Sequence, residues 1–157
     1  MLKWDEPATR YLATAQLAAG DAAGAIKNCE SLISVRPELA WKGELAPTDW
    51  QALLKTGKTA KLDDYISNAI ASGDPLASAS ALLMRGDIFM EKKEGLNALK
   101  DGYLRVVVLY QTLREIQPEA LFKAAKAFES INQNANAEKM RSTLRTKYSQ
   151  SEYARKL

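Results

Sequence analysis

The chain reads as all-α: an α–α superhelix of about four helix hairpins, the second of them degenerate. Three observations carry this. Apolar residues recur at steps of four and three, as in Leu82, Gly86 and Phe89, which is the period of one helix face. The pattern returns 39 residues on, pairing Leu82 with Leu121, Gly86 with Ala125, Phe89 with Phe128 and Ala98 with Ala137. An offset of about 20–50 residues marks stacked supersecondary units, each burying its apolar face against the next. Helix-start signals stand at Thr48, Asp74 and Pro118, so at least seven helices and no sheet are expected. Small residues at Gly86, Ala98, Ala125 and Ala137 belong where the helices of a hairpin approach most closely. Phe89 and Phe128 are expected as equivalent buried positions inside their hairpins.

In order, residues 7–19 predict a first helix with Leu12, Ala15 and Ala19 on one side and Tyr11 beside them. Asp21 is placed to cap the helix that follows, which runs to about Val35, ahead of the restriction imposed by Pro37. Residues 38–47 read either as a short helix through Trp41 and Leu45 or as an ordered loop folded back over the first hairpin. Thr48-Asp49-Trp50-Gln51 has the spacing of a capping box, opening a short helix that Gly57 interrupts. Leu62, Tyr65, Ile66, Ala69 and Ile70 form the next amphipathic stripe. Gly73-Asp74-Pro75 combines a helix stop, an N-cap and a helix-starting proline. The run Val106-Val107-Val108-Leu109 has strand propensity, but between two strong helical patterns it is read as a helix covered on several sides. Pro118 opens the fourth hairpin, and residues 151–157 read as a short cap helix with Tyr153 and Leu157 as its apolar contacts. One domain over 1–157 is expected, with repeats over approximately 6–37, 44–74, 79–111 and 118–150 and the cap over 151–157.

The order of leucine or aromatic, Gly/Ala, aromatic and then Ala along paired helices resembles the tetratricopeptide repeat (TPR) family. The N-terminal copy is similar in its second half, Gly20-Asp21-Ala22-Ala23-Gly24-Ala25-Ile26 followed by Cys29, Leu32, Ile33 and Pro37. Lys147-Tyr148-Ser149-Gln150-Ser151-Glu152-Tyr153-Ala154 resembles the repeat closure of bacterial cell-envelope TPR proteins, such as Tol–Pal coordinators and outer-membrane assembly lipoproteins. Ser149 stands where that closure usually has Pro, and the 39-residue offset exceeds the family's common spacing of about 34. The resemblance implies a bacterial protein of the cytoplasm or periplasm.

Composition supplies little catalytic chemistry. There is no histidine, the commonest acid–base and metal-ligand side chain. No phosphate-loop glycine pattern, nucleophile elbow or cysteine paired with a base is present. The lone cysteine, Cys29, lies on the stripe of Ala22, Ala25, Ile26 and Ile33 and reads as a small buried hydrophobe. Asp63-Asp64 and Glu91/Glu94 sit in lysine-containing polar stretches and read as solvated surface. The expectation is a non-enzyme with no cofactor and no metal. No long apolar run is present and the first ten residues include Asp5, Glu6 and Pro7, so neither a membrane span nor a signal peptide is expected.

Charge is uneven. Residues 1–80 hold 8 Lys/Arg and 10 Asp/Glu, residues 81–117 hold 6 and 5, and residues 118–157 hold 8 and 4. Arg141 and Arg145, one helical turn apart, form a candidate anionic docking strip, against the simpler reading of a solvated outer face. In TPR proteins the first helix of each hairpin lines a concave groove. The resemblance carries that lining onto Arg10, Thr14 and Leu17 in the first repeat, Leu83, Asp87 and Met90 in the third, and Phe122, Lys126 and Glu129 in the fourth. Leu83 and Phe122 each follow a core residue, so neither shares the core face of its helix. Asp87 and Lys126 are expected either to pair across the groove or to hold a partner's polar groups. The function implied is a protein–protein adaptor or scaffold taking a peptide or helix in the groove. The alternatives are a structural or oligomerising repeat segment of a larger envelope assembly, or nucleic-acid binding through the basic C-terminal face. An adaptor leaves the groove open to another chain, whereas a structural segment fills it with its own helix or a copy of itself.

Overall fold

A computed structural model describes residues 5–157. Among them every regular element is helical: α1 (Asp5–Ala18), α2 (Ala22–Ile33), a 3-10 turn (Pro37–Ala40), α3 (Leu45–Lys55), α4 (Thr59–Ala71), α5 (Pro75–Glu91), α6 (Gly95–Ala98), a π turn (Leu99–Tyr103), α7 (Leu104–Leu109), α8 (Gln117–Ser130), α9 (Asn134–Lys147) and α10 (Glu152–Arg155). Residues 95–109 run on as one helical rod, with the π turn inside it. The chain divides into two compact units, residues 1–72 and 73–157.

In the first unit α1 pairs with α2, and α3 packs against α1, α2 and α4. The Asp21 carboxylate accepts from Gly24 N–H at 2.8 Å, capping α2 and satisfying one of the donors a helix start leaves free. The inward face of α1 differs from the expected one. Ala13 is its buried residue, with Thr9, Arg10, Gln16 and Leu17 half-buried beside it, whereas Leu12 is 51% and Tyr11 70% exposed. These inward positions also follow helical steps, but they are small and polar, and Gln16 accepts from Asn28 Nδ2 across the hairpin at 2.6 Å. Hydrophobicity alone therefore selected the wrong side of this helix. Helix α3 begins three residues before the expected capping box, at Leu45. Pro47 fits within its first turn because the N–H that proline lacks has no intrahelical partner there. The segment before it is tied back by the Trp50 indole, which donates to the Ala40 carbonyl at 2.8 Å. In α4, Leu62, Ile66 and Ala69 are fully enclosed.

The second unit contains two helix pairs, α5 with the 95–109 rod and α8 with α9, and the rod also packs against α8. The start of α5 follows from its sequence: Gly73 sits at φ +72, Pro75 is in the first turn, and Asp74 accepts from Ala77 N–H at 2.8 Å. The 39-residue offset is visible in the turns. Helices α5 and α8 end at Glu91 and Ser130, both Lys93 and Asn132 take φ 61°, and the following helices begin at Gly95 and Asn134. Leu82, Gly86, Ala98, Leu121, Ala125 and Ala137 are all enclosed. Phe128 is buried, but Phe89 is only half-buried, so the two are not equivalent. Val106 is enclosed while Val108 and Leu109 are 60% and 67% exposed, so the end of this rod is helical as expected but covered on one side only.

Candidate functional site

The densest polar constellation lies between α5, the π turn and α8. A π turn takes in an extra residue, which turns the side chains after it relative to those before it. Its close neighbour is Gly86: a Cβ on Gly102 would come 2.7 Å from Gly86 Cα and 2.9 Å from the Leu82 carbonyl oxygen. The Tyr103 ring lies against Gly86, where a Cβ would meet it at 2.4 Å. This approach sets the Tyr103 hydroxyl 2.6 Å from Asp87 Oδ1, to which it donates. Lys123 reaches across from α8 to Asp87 Oδ2 at 2.7 Å and also to Glu119 Oε1, one turn earlier on its own helix, at 2.9 Å.

The electrostatics of this network hold protons in place. Burial, then the Asp87 carboxylate, pushes the Tyr103 phenol far above its ordinary pKa. Burial would lower that of the Lys123 ammonium, but attraction to Asp87 and Glu119, reinforced by hydrogen bonds to both, leaves it above the usual lysine value. Tyrosine and lysine therefore both keep their protons at neutral pH, and Asp87 accepts from both. Such an arrangement ties α5 to α8.

Beside the network, Phe122 is half-buried and meets the Tyr153 ring of α10, with centroids 5.5 Å apart. The exposed Lys126 ammonium lies 4.7 Å from the Phe122 centroid, within cation–π range. Lys126 thus stands over an aromatic ring, and it is Lys123 that pairs with Asp87. Leu83, expected to line the groove, is 3% exposed. The reason is that α5 encloses the consecutive residues Leu82, Leu83 and Met84, so its buried surface extends well beyond one stripe. Met90 is half-buried. Glu129 pairs with Arg141, and Glu138 pairs with both Arg141 and Arg145. The expected anionic docking strip is therefore already supplied with carboxylates by its own chain.

In residues 1–72 the expected lining is engaged differently. Arg10 pairs with Glu44 at 3.0 Å. Thr14 Oγ1 donates to the Arg10 carbonyl at 3.0 Å and lies 3.3 Å from Thr48 Oγ1. Leu17 is half-buried. This unit also contains a group that the sequence did not single out: Asp49 is 1% exposed, and its carboxylate oxygens have no polar partner among the described residues beyond the weak donor of the neighbouring Cys29 thiol. Burial, opposed by attraction to Lys61, raises its pKa to about 6. Burial and then Asp49 raise the neighbouring Cys29 thiol to about 12, so it stays protonated and unreactive.

A separate cleft of about 490 Å³ opens beside the start of α8, lined by Val107, Gln111, Arg114, Gln117, Leu121, Thr143, Lys147 and Tyr148. Gln117 is buried there and donates through Nε2 to the carbonyls of Val106 and Tyr110, both at 2.8 Å. It thereby adds a second hydrogen bond to each, since the Val106 carbonyl also accepts from Tyr110 N–H and the Tyr110 carbonyl from Leu113 N–H. The residues missed by sequence reasoning, chiefly Tyr103, Lys123, Arg114 and Asp49, share a cause: the first three depend on partners distant in the chain, and Asp49 is buried by the packing of neighbouring helices. Only the Glu119/Lys123 spacing of four was visible locally.

Among the described residues, no group of three or more His, Cys, Asp or Glu could hold a metal ion, and no helix is long and apolar enough to cross a membrane. No protein-family model, curated protein or solved structure matches the chain.

Proposed function

We propose that the chain is a TPR-like, non-enzymatic module for protein–protein contact, and that the α5/α8 face of residues 73–157 receives a partner peptide or helix. The observation that carries this reading is the Tyr103–Asp87–Lys123–Glu119 network. It ties together α5, which carries Met90 one turn on from Asp87, and α8, which carries Phe122 and Lys126 next to Lys123. A preorganised face loses less freedom on binding than one that must be ordered by its ligand. Mixed apolar and charged side chains suit an interface whose buried centre carries affinity and whose rim sets register.

A second reading, a structural or oligomerising segment, is favoured by one specific contact. Tyr153 of the chain's own α10 already lies on Phe122, as expected where a module fills its own groove. Panning a random peptide library against the protein distinguishes the two. Under the adaptor reading, selected peptides bind the parent saturably and lose at least about tenfold in affinity, about 1.4 kcal/mol, on Met90→Glu or Lys126→Glu. Both variants should keep the parent's circular dichroism and melting temperature. Peptides indifferent to both substitutions would remove this face from consideration, and concentration-dependent self-association abolished by the same substitutions would favour the second reading.

A further inference from the structure

The cleft beside α8 has a chemistry that the α5/α8 face does not use. Arg114 and Lys147 make no ion pair among the described residues, a state they share with several exposed cations of this unit; what sets them apart is that both line one cleft. The Arg114 guanidinium is held over the Tyr148 ring, 5.4 Å from its centroid, and Lys147 lines the same cleft; neither is ion-paired with a carboxylate of the described residues. Val107 and Leu121 add an apolar lining, and Gln111 a polar one. A second open cleft of about 520 Å³ shares Arg114, Lys147 and Tyr148 and continues toward Ser149 and Gln150. The two form a track past one aromatic ring, a shape suited to an extended chain.

We propose that this track docks an acidic peptide segment, with a carboxylate taken by Arg114 and Lys147. A planar guanidinium matches a carboxylate in two parallel hydrogen bonds, and residues 118–157 carry 8 Lys/Arg against 4 Asp/Glu, so the surrounding charge favours an anionic partner. Glu115 lines the outer cleft but not the inner one. The incoming carboxylate is therefore placed in the inner cleft, whose lining holds Arg114 and Lys147 and no acidic residue. A peptide fits better than single-stranded nucleic acid, whose successive bases stack on several aromatic rings: Tyr148 is the one ring in the lining of both clefts.

This inference is independent of the α5/α8 face, and its test uses different substitutions. The anisotropy of a fluorescein-labelled hexaglutamate peptide is measured on the full chain at low and physiological salt. Inorganic phosphate and a short oligothymidylate serve as competitors. Saturable binding is expected, weakened at least tenfold by Arg114→Ala with Lys147→Ala. The charge-matched pair Lys100→Ala with Lys139→Ala should change it less than threefold. If the cleft pair lowers the melting temperature, the single exposed substitution Lys147→Gln carries the test, with at least a threefold loss expected. Equal weakening by both pairs, no saturable binding, displacement by phosphate at an equal concentration of charge, or tighter binding of the oligothymidylate would each overturn the proposal.

Discussion

Asp49 is the residue whose environment departs furthest from what its chemistry favours. Helix α3 brings it into an interior shared with α2 and α4, next to Cys29 and within the field of Glu30, Lys58, Lys61 and Tyr65. The one cation able to approach from α4, Lys61, is bound to Glu30 at 2.5 Å. A buried carboxylate favours its neutral form, and burial outweighs Lys61 and the weak Cys29 thiol donor, which is why its pKa rises from the ordinary 3.8 to about 6. The folded state therefore holds this proton more tightly than the unfolded state. The stabilising contribution is complete below about pH 4 and is lost as pH rises through about 6, a swing of about 3 kcal/mol. Asp49→Asn removes the titrating group. It should raise the melting temperature at pH 8 by about 5 °C or more and change it much less at pH 4.5. A uniform shift at both pH values would show that packing, not charge, governs this position. The buried Trp50 indole provides a fluorescence signal next to the substituted residue.

At the scale of elements, α5 and the π turn approach backbone to backbone at Gly86 and Gly102. A methyl group on Gly102 would meet the main chain of Gly86 and Leu82, atoms that cannot swing aside, whereas one on Gly86 would meet first the Tyr103 ring, a side chain. Gly102→Ala should therefore destabilise by about 2–3 kcal/mol, in the range of overpacked cores, and by more than Gly86→Ala. Urea denaturation of both variants measures the difference, and equal costs would mean that the ring is as rigidly held as the backbone. Gly86 as a point of close approach was legible in the sequence, as were the Gly73-Asp74-Pro75 boundary and the offset joining the two helix pairs. Caps and turns are decided by the residues next to them, so a linear reading recovers them. The π turn at 99–103, the inward side of α1 and the pairing of Asp87 with Lys123 instead of Lys126 depend on what a distant helix presents. In α1 the packed positions are small and polar, so hydrophobic periodicity pointed to Leu12, which is exposed.

At the scale of the molecule, residues 73–157 have the makings of an independent folding unit. They form one of the two compact parts of the chain, and their interior joins residues from every long helix of that part, including Leu99, Val106, Leu121 and Leu144, each at most 2% exposed. The Lys123 bridge to Asp87 and the Gln117 bonds to Val106 and Tyr110 also lie wholly within this range. The boundary falls at Gly73, next to an N-cap and a first-turn proline that start α5 without help from the preceding chain. Contacts held within a segment survive its excision. Residues 73–157 expressed alone should accordingly show a helical circular dichroism spectrum and a single cooperative thermal transition. Lys123→Met should lower that transition, because it leaves the half-buried Asp87 with the Tyr103 hydroxyl but without its cation; a cost of about 1–3 kcal/mol is expected, below that of breaking a fully buried pair. All three tryptophans, Trp4, Trp41 and Trp50, lie outside the fragment, so its melting is followed by ellipticity and tyrosine absorbance. A broad, non-cooperative loss of ellipticity that is insensitive to Lys123→Met would show that this segment needs residues 1–72 to fold.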